Sequence, residues 1–449
     1  MEQFLIKSPY WLKVILINAY GFLLATRRFS GSFNRWFTQY TNNLKKSPGD
    51  IKSEQFDLLK NNLIYCYEKI PYYKRTFDEA GFNPRKMTSF NDITILPFLT
   101  KDVVRKEFDN LYNKDIPAQR YSLQTTSGST GEKLNFFLPK ELSYKKNAAF
   151  MYRFYGMWGV KPKDRRVTIG GRIFTQKPPY WVYNRFEDQL LLSAHHLKIQ
   201  TVASYIEKIN SFGPIFIQGH PSAILLMAKH ILAQDSKVTP FLKVIFTTGE
   251  TLLEEDQITI EKAFKCPVAQ QYGSREDCFS AQRAPNENGY LVNYEHGFIE
   301  LIGDGDVKEV VVTSLQNDVM PFVRYKMNDY VRAIDNTHSK QFNLPILFDE
   351  VIGRVDDTIF LKNGDAVLPV SVRMTIKPFL KEGTNYQLIQ WSNTNFKLSL
   401  LDPEKKIDTN ALNTVLRNLL GNDIEISVGY TESLISKGGK IRNIIREKD

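Results

Sequence analysis

Thr125-Thr126-Ser127-Gly128-Ser129-Thr130-Gly131 is a run of seven small residues, of which five carry hydroxyl groups and two are glycines. The residues on either side, 120–124 and 134–138, have the apolar and aromatic content of strands. Glycine allows positive φ and a close approach of the backbone, so successive N–H groups can converge on an anion. The run therefore predicts a phosphate-binding loop between two strands.

The strand after the loop excludes a Walker-type P-loop, which needs G-x-x-x-x-G-K-[ST] leading into a helix. Further along, residues 166–170, 215–219 and 244–249 are short apolar segments typical of strands, and 221–233 has apolar residues at helical spacing. This alternation predicts an α/β core with parallel strands, which bind ligands at their carboxyl ends. After about residue 350 a polar stretch precedes a strand (396–400), a helix (409–420) and another strand (423–429), which predicts a small tail domain.

Composition is that of a globular protein, with 449 residues, 42% apolar residues and a formal charge of +10. This charge permits contact with nucleic acid, acidic lipids or phosphorylated substrates and selects none of them. No block of Lys and Arg interleaved with aromatic residues occurs, which argues against dedicated nucleic-acid binding. Three cysteines (66, 266 and 278) without a C-x-x-C pair argue against disulfides or a cysteine zinc site, and predict a reducing cytoplasm.

The N-terminal segment 10–26 is strongly apolar but contains Lys13 and Asn18, and Arg27-Arg28 follow it. Basic residues after the apolar run do not fit a signal peptide, and the length is at the lower limit for a membrane span. Residues 1–50 hold seven Lys or Arg against two acidic residues. Two interpretations stay open: a helix packed on the protein body, which we favour, or a peripheral contact of residues 1–30 with an anionic membrane.

Five separated segments predict one nucleotide site. They are the hydroxyl–glycine loop, 247–250 (Thr-Thr-Gly-Glu), 271–276 (Gln-Tyr-Gly-Ser-Arg-Glu), 321–329 (Pro-Phe-Val-Arg-Tyr-Lys-Met-Asn-Asp), and the cations Arg354 and Lys440. An aromatic ring can stack on a base, a carboxylate can hold Mg²⁺ against phosphates, and an acid can bind ribose hydroxyls.

The order of these motifs resembles the adenylate-forming superfamily, which includes acyl-CoA synthetases and peptide-synthetase adenylation domains. The chain is most similar to the phenylacetate–CoA ligase branch and its CapK-type members of bacterial polysaccharide biosynthesis. Three further segments carry this similarity: 70–74 (Ile-Pro-Tyr-Tyr-Lys), 96–101 (Leu-Pro-Phe-Leu-Thr-Lys) and 219–222 (Gly-His-Pro-Ser). The resemblance runs from about residue 55 to the end. It implies an α/β fold with a large N-terminal multi-sheet α/β domain and a small mobile C-terminal α+β domain.

The implied domains are an N-terminal amphipathic or helical segment (1–52), an AMP-binding core (53–353) and a mobile C-terminal domain (354–449) with its hinge at Asp356. The resemblance also implies residue roles. The ATP phosphates would be held by Ser127, Gly128, Ser129, Thr130 and Gly131. The adenine pocket would be bordered by Gly249 and Glu250, with Tyr272 stacked on the base beside Gly273. The remaining roles are Mg²⁺ binding by Glu276, ribose binding by Asp329, nucleotide contact by Arg354 and catalysis of adenylation by Lys440.

The chain departs from the family pattern at three places. Glu132 stands where a lysine frequently follows the loop, Met327-Asn328 replaces the usual Thr-Gly before the ribose acid, and His220 replaces a tyrosine, so it is a candidate for the acyl pocket. The pair His195-His196 lacks further ligands and is interpreted as structural rather than metal-binding. Cys278 is expected to be a buried small apolar residue.

The resemblance implies an ATP-dependent ligase that forms an acyl- or aminoacyl-adenylate and passes it to coenzyme A or to an amine or hydroxyl acceptor. The setting it implies is surface polysaccharide (capsule or O-antigen) biosynthesis in the cytoplasm, with ATP and Mg²⁺ as cofactors. Two alternatives stay open: an inactive fold that serves as a scaffold in polysaccharide assembly, and a membrane-associated acyltransferase.

Overall fold

The structure is a computed structural model that describes residues 8–126, 134–170, 175, 177–197, 200–354, 359–362, 366–367, 372, 375–380, 384–402, 404–434, 436–437, 440–441 and 443–446. In these ranges the helices are α1 Tyr10–Phe29, α2 Phe33–Asn43, α3 Pro48–Lys69, α4 Pro71–Glu79, α5 Lys101–Lys106, α6 Asn147–Met157, α7 Val202–Phe212, α8 Pro221–Ala233, α9 Glu254–Phe264 and α10 Thr409–Leu420.

Three of the described helices begin at a polar N-cap residue. Ser47 caps α3 by accepting a hydrogen bond from the backbone N–H of Asp50, with a proline in the first turn. Thr100 caps α5 by accepting a hydrogen bond from the backbone N–H of Val103 at 3.3 Å. Asp408 caps α10 in the same manner. These polar caps satisfy N–H groups that have no partner inside the helix, and so they fix where each helix begins.

Twelve strands form one large sheet. They are β3 Arg166–Gly170, β4 Trp181–Asn184, β5 Gln189–Ser193, β6 Phe216–Gly219, β7 Val244–Thr247, β8 Val268–Gly273, β9 Ser280–Arg283, β10 Tyr290–Val292, β11 Gly297–Ile302, β12 Val307–Ser314, β13 Tyr325–His338 and β14 Pro345–Arg354, in the spatial order 11-12-13-14-10-9-8-7-6-3-5-4. Neighbours between β8 and β5 are parallel, whereas β8 and β9 are antiparallel. Strand β8 therefore joins a parallel half to an antiparallel half.

Helices cover both faces of the parallel half. Phe216 and Phe246 pack with α2 and α6. Their neighbours in the chain, Ile217 and Ile245, pack with α7, α8 and α9. The alternation follows from the two-residue period of a strand, and burial on both faces explains why these strands are apolar throughout. The predicted α/β class with parallel strands is confirmed.

Strands β1 Tyr121–Thr125 and β2 Asn135–Pro139 pair antiparallel, as predicted for the segments beside the hydroxyl–glycine loop. The loop itself, 127–133, lies outside the described residues. A separate sheet in the order 19-18-17-22 is formed by β17 Asn385–Gln390, β18 Asn395–Leu401, β19 Glu425–Tyr430 and β22 Ile444–Arg446. Short two-residue strand pairs complete the description: β15 Ile359–Phe360 with β16 Ala366–Val367, and β20 Ser436–Lys437 with β21 Lys440–Ile441.

Helix α10 packs on this second sheet around its own apolar core, in which Leu388, Leu398, Leu412 and Leu416 are fully buried. The domain boundaries at 52 and 353 and the hinge at Asp356 stay predictions, and Asp356 lies outside the described residues. Among the described helices, none combines the length and the apolar character that a bilayer crossing needs.

Candidate active site

The base of the predicted phosphate loop is closed by its two strands. Thr126 and Leu134 are linked by a backbone hydrogen bond of 2.9 Å, and the hydroxyl of Thr126 accepts a second bond from the N–H of Leu134. The Thr125 hydroxyl donates to the Asn135 side chain at 2.9 Å. The hydroxyl groups of Thr125 and Thr126 therefore help to hold the two ends of the loop together.

Strand β8 ends where the parallel and antiparallel halves meet, and its carboxyl end carries Tyr272 and Gly273. In the turn that follows, the guanidinium of Arg275 donates a hydrogen bond of 3.1 Å to the backbone carbonyl of Thr125. Two segments that are 150 residues apart in the chain therefore meet at the base of the loop. Carboxyl ends of parallel strands at such a switch point are where open α/β sheets bind ligands.

Tyr272 and Asp329 are brought into contact. The Tyr272 hydroxyl donates to the Asp329 Oδ2 at 2.8 Å, and the Asp329 side chain is buried. The Tyr272 ring packs edge-on against Phe279 and Phe348, with centroids 5.0 and 5.8 Å away. A hydrogen bond to an ionised carboxylate is stronger than a neutral one, so it fixes both side chains.

Asp329 also stands opposite Arg354 in the register of β13 and β14. These two residues, both predicted to contact the nucleotide and 25 residues apart in the chain, are therefore neighbours on adjacent strands. The preceding residue, Asn328, has φ +57°, a left-handed conformation that asparagine tolerates better than most residues. This explains how asparagine can replace the glycine that is usual at this position.

Glu276 is buried, and its Oε1 accepts a hydrogen bond of 3.1 Å from the hydroxyl of Tyr325. The pKa of the Tyr325 phenol is raised well above its ordinary value, first by burial and then by the neighbouring Glu276 carboxylate. Tyr325 consequently keeps its proton and acts as a donor. A carboxylate has about four acceptor positions, so the bond from Tyr325 leaves other acceptor positions of Glu276 for a ligand. A single protein carboxylate suits Mg²⁺ that is shared with substrate phosphates.

The turn that carries Glu276 is held in place by contacts of the next residue, Asp277. Asp277 has φ +59°, and its side chain accepts from the amide of Asn147 and lies 3.2 Å from Nε2 of His296. The other ring nitrogen of His296 contacts the Ser280 hydroxyl at 2.9 Å, and the ring stacks on Phe150. These contacts fix the conformation of the turn between β8 and β9.

Gly249, Glu250 and His220 lie together at the ends of β6 and β7. Gly249 has φ +81°, and the Nδ1 of His220 donates to the Thr248 carbonyl at 3.1 Å. The Glu250 carboxylate accepts from the N–H and the hydroxyl of Ser222 at 3.0 and 3.1 Å. A carboxylate at a helix N-terminus is favourable, so Glu250 caps α8.

The other predicted site residues are less fully described. Residues Ser127 to Gly131 and Asp356 lie outside the described part of the chain. Lys440 is described as part of the two-residue strand β21, paired with Lys437, and Arg354 as the last residue of β14. Their predicted roles stay predictions.

His196 and Cys278 are accounted for by packing. The ring of His196 stacks on Tyr180 with centroids 4.4 Å apart and contacts the Ser193 hydroxyl at 3.0 Å. Within the described ranges no cluster of three or more His, Cys, Asp or Glu side chains is arranged to hold a metal. Cys278 is 1% exposed, as expected for a small apolar residue.

Several residues that build this region had no role assigned from the sequence: Asn147, Ser222, Arg275, Asp277, His296 and Tyr325. Ser222, Arg275 and Tyr325 lie within the quoted segments 219–222, 271–276 and 321–329, but their partners could not be predicted from the sequence. The arginine of the last of these segments, Arg324, is buried, pairs with Glu300 at 2.9 Å and donates to the Thr94 carbonyl. It therefore anchors the 94–98 segment.

The chain is similar in sequence and in fold to known proteins. Protein CapK of Staphylococcus aureus is 27% identical over 404 residues, which are 88% of each chain. A phenylacetate-coenzyme A ligase of Escherichia coli (strain K12) is 24% identical, over 76% of this chain and 79% of the relative. No family model matches the chain. A crystal structure of 2-hydroxyisobutyryl-CoA ligase in the postadenylation state has a TM-score of 0.65 at 16% identity, covering 88% of this chain and 90% of the other.

The fold of the chain is therefore similar to that of a CoA ligase, and its sequence is similar to CapK and to the phenylacetate-coenzyme A ligases. The similarity to CapK and the phenylacetate-coenzyme A ligases confirms the resemblance inferred from the motifs.

Proposed function

We propose that the protein activates a carboxylic acid with ATP and passes the acyl group to an acceptor. The observation that carries this proposal is the meeting of four motif segments: Arg275 reaches the base of the phosphate loop, Tyr272 of the same segment binds Asp329, and Asp329 pairs with Arg354 in the sheet. These contacts join the segments in one region, as a single nucleotide site requires.

In this proposal each motif residue has one task. Ser127, Gly128, Ser129, Thr130 and Gly131 bind the triphosphate, and Lys133 substitutes for the lysine that Glu132 displaces. The adenine lies between Tyr272 and the Gly249–Glu250 turn, beside Gly273. Asp329 accepts from the ribose hydroxyls, and Arg354 steadies the nucleotide.

The first reaction brings two anions together. A carboxylate oxygen attacks the α-phosphorus, the bond from that phosphorus to the pyrophosphate oxygen breaks, and an acyl-adenylate and pyrophosphate result. Lys440 offsets the repulsion by contacting the carboxylate and the α-phosphate, which is electrostatic stabilisation combined with positioning. Glu276, held by Tyr325, would bind Mg²⁺, which supplies charge neutralisation on the triphosphate.

The second reaction transfers the acyl group after the C-terminal domain, residues 354–449, turns about Asp356. Closure of the domains would keep water from the mixed anhydride. The separate apolar core of the C-terminal sheet supports this division of the chain. CoA-ligase relatives make coenzyme A one acceptor, and the similarity to CapK favours an amine or hydroxyl acceptor in surface polysaccharide (capsule or O-antigen) biosynthesis in the cytoplasm. His220 lines the acyl pocket.

A panel of carboxylic acids, each tested by ATP–pyrophosphate exchange, examines this proposal. We expect exchange that depends on one class of acid, followed by acyl transfer to coenzyme A or to an amino sugar, detected by product mass. Absence of exchange with every acid, in a protein that still binds ATP, would favour the scaffold alternative.

A further inference from the structure

Helix α1 presents its polar side chains to the protein and its apolar side chains to solvent. The Tyr10 hydroxyl donates to the Trp181 carbonyl at 3.1 Å, the Asn18 amide donates to the Tyr183 carbonyl at 2.9 Å, and Arg28 pairs with Glu187 at 2.7 Å. These bonds are spread along the whole helix, so α1 is attached lengthwise beside β4. This arrangement is the reverse of an ordinary surface helix, whose apolar stripe faces the core.

The outward side of α1 is defined here as the α1 outer face, made of Trp11, Ile15, Leu16, Tyr20, Phe22 and Leu23. Trp11 is 63% exposed, and Ile15 and Phe22 are each 56% exposed. Seven of the fourteen large apolar or aromatic side chains that are exposed among the described residues belong to this one helix. Phe186, 5.1 Å from Phe22 between ring centroids, extends the patch beyond the helix. Contiguous apolar surface of this kind marks an interaction site.

The charged side chains of α1 itself are all basic. Residues Tyr10–Phe29 contain no Asp or Glu, and exposed Arg27 and Arg185 lie at its border. Tyr10, Val14, Asn18, Tyr183 and Arg185 line an open groove beside the helix. Arg185 is thereby placed where the phosphate of a headgroup would enter between aromatic side chains.

We propose that the α1 outer face docks on the surface of an anionic lipid bilayer, with α1 lying in the plane of the interface and Arg27 and Arg185 contacting lipid phosphates. The proposal deepens the membrane contact considered for residues 1–30 and does not depend on the adenylation chemistry. Apolar side chains with tryptophan and tyrosine on one face and arginines at the border are the composition of helices that lie in the headgroup region.

A second copy of the chain fits this face less well. A helix of 20 residues is about 30 Å long and about 10 Å across. Its outer face therefore offers about 300 Å², whereas a stable interface takes about 800 Å² from each partner. Docking on a bilayer has no such minimum contact area, because the lipids also surround the border of the patch.

Co-flotation of the full chain with vesicles tests the proposal. We expect wild-type protein to float with vesicles of phosphatidylcholine and phosphatidylglycerol, and to float less with phosphatidylcholine alone or at high salt. The double substitution Ile15→Glu and Phe22→Glu should lower binding on the order of ten-fold or more. The control Ile258→Glu, at an isoleucine that is 58% exposed on α9, should bind as wild type does.

Arg185→Gln should lower binding to the anionic vesicles about five-fold and leave the weak binding to phosphatidylcholine unchanged. Melting temperature and ATP–pyrophosphate exchange, measured without vesicles, establish that each variant is folded and keep this test separate from the proposed reaction. Wild-type protein that does not float with anionic vesicles, or glutamate variants that float as well as wild type, would overturn the proposal. A wild-type dimer that the double substitution converts to a monomer would overturn it in favour of a copy–copy interface.

Discussion

The hydroxyl of Tyr272 donates a hydrogen bond of 2.8 Å to Oδ2 of Asp329. This bond joins the carboxyl end of β8 to the middle of the antiparallel half of the sheet, where Asp329 stands opposite Arg354. The proposed base-stacking residue and the proposed ribose ligand are therefore fixed relative to each other before any ligand arrives. Such preorganisation lowers the cost of ordering side chains on binding.

Replacing Tyr272 by phenylalanine should therefore affect both stability and nucleotide binding. We expect the free energy of unfolding to fall by about 1–3 kcal/mol, because a buried carboxylate loses a donor, and the KM for ATP to rise with a smaller change in kcat. Denaturant unfolding and steady-state kinetics measure the two effects.

Tyr290→Phe is the matched control for this substitution. Its hydroxyl is also bonded inside the same aromatic cluster, to Gln270 at 2.7 Å, but no site role is assigned to it. The control should lose stability and keep the KM for ATP. An equal KM in the two variants would show that the Tyr272–Asp329 bond serves packing alone.

Glu276→Gln should lower kcat for adenylation on the order of 100-fold, because the substitution neutralises the carboxylate that we propose binds the metal–phosphate complex. It should also raise the Mg²⁺ concentration that gives half-maximal rate. Tyr325→Phe should shift the same Mg²⁺ dependence by a smaller amount, because Tyr325 only positions the carboxylate. Glu404→Gln, at a carboxylate that is 63% exposed, is the control and should change neither quantity. An unaltered Mg²⁺ dependence in Glu276→Gln would contradict the metal role.

Lys440→Ala should abolish adenylation while ATP still binds, since in the proposed reaction the lysine acts on the reacting α-phosphate rather than on the base or ribose. Pyrophosphate exchange and equilibrium ATP binding distinguish the two steps. Lys437→Ala offers a control in the paired strand β20 and should keep the exchange activity. Adenylation at the wild-type rate in Lys440→Ala would refute the assignment.

The three thiols should be unreactive in the folded protein near pH 8. Burial raises the pKa of Cys66 and Cys278 well above the ordinary value and that of Cys266 to about 12, so the nucleophilic thiolate is scarce at this pH. Intact mass after iodoacetamide treatment should show no label on native protein and three labels after unfolding in guanidinium. Rapid native labelling of Cys278 would contradict its assignment as a packing residue.

The sequence predicted local structure well where periodicity and capping decide it. The helix expected over 409–420 is α10 with the same bounds, and the strands beside the hydroxyl–glycine loop form the hairpin β1–β2. These features depend on neighbouring residues, so they are visible in a short window of sequence.

Contacts between distant segments could not be predicted in the same way. The bond from Arg275 to Thr125 and the pairing of Glu276 with Tyr325 depend on how β8, β13 and the hairpin meet in three dimensions. The apolar character of α1 was evident from its composition. Its reversed orientation was not, because that orientation depends on polar partners from β4 and the turn after it, more than 150 residues away.

The most direct test of the account follows the oxygen atoms of the acid. A carboxylic acid labelled with oxygen-18 is incubated with the enzyme, ATP and the acceptor, and the products are analysed by mass spectrometry. Attack of the carboxylate on the α-phosphorus predicts that one labelled oxygen remains on AMP after acyl transfer, with none in pyrophosphate. Unlabelled AMP, or ADP together with labelled inorganic phosphate, would contradict formation of an acyl-adenylate.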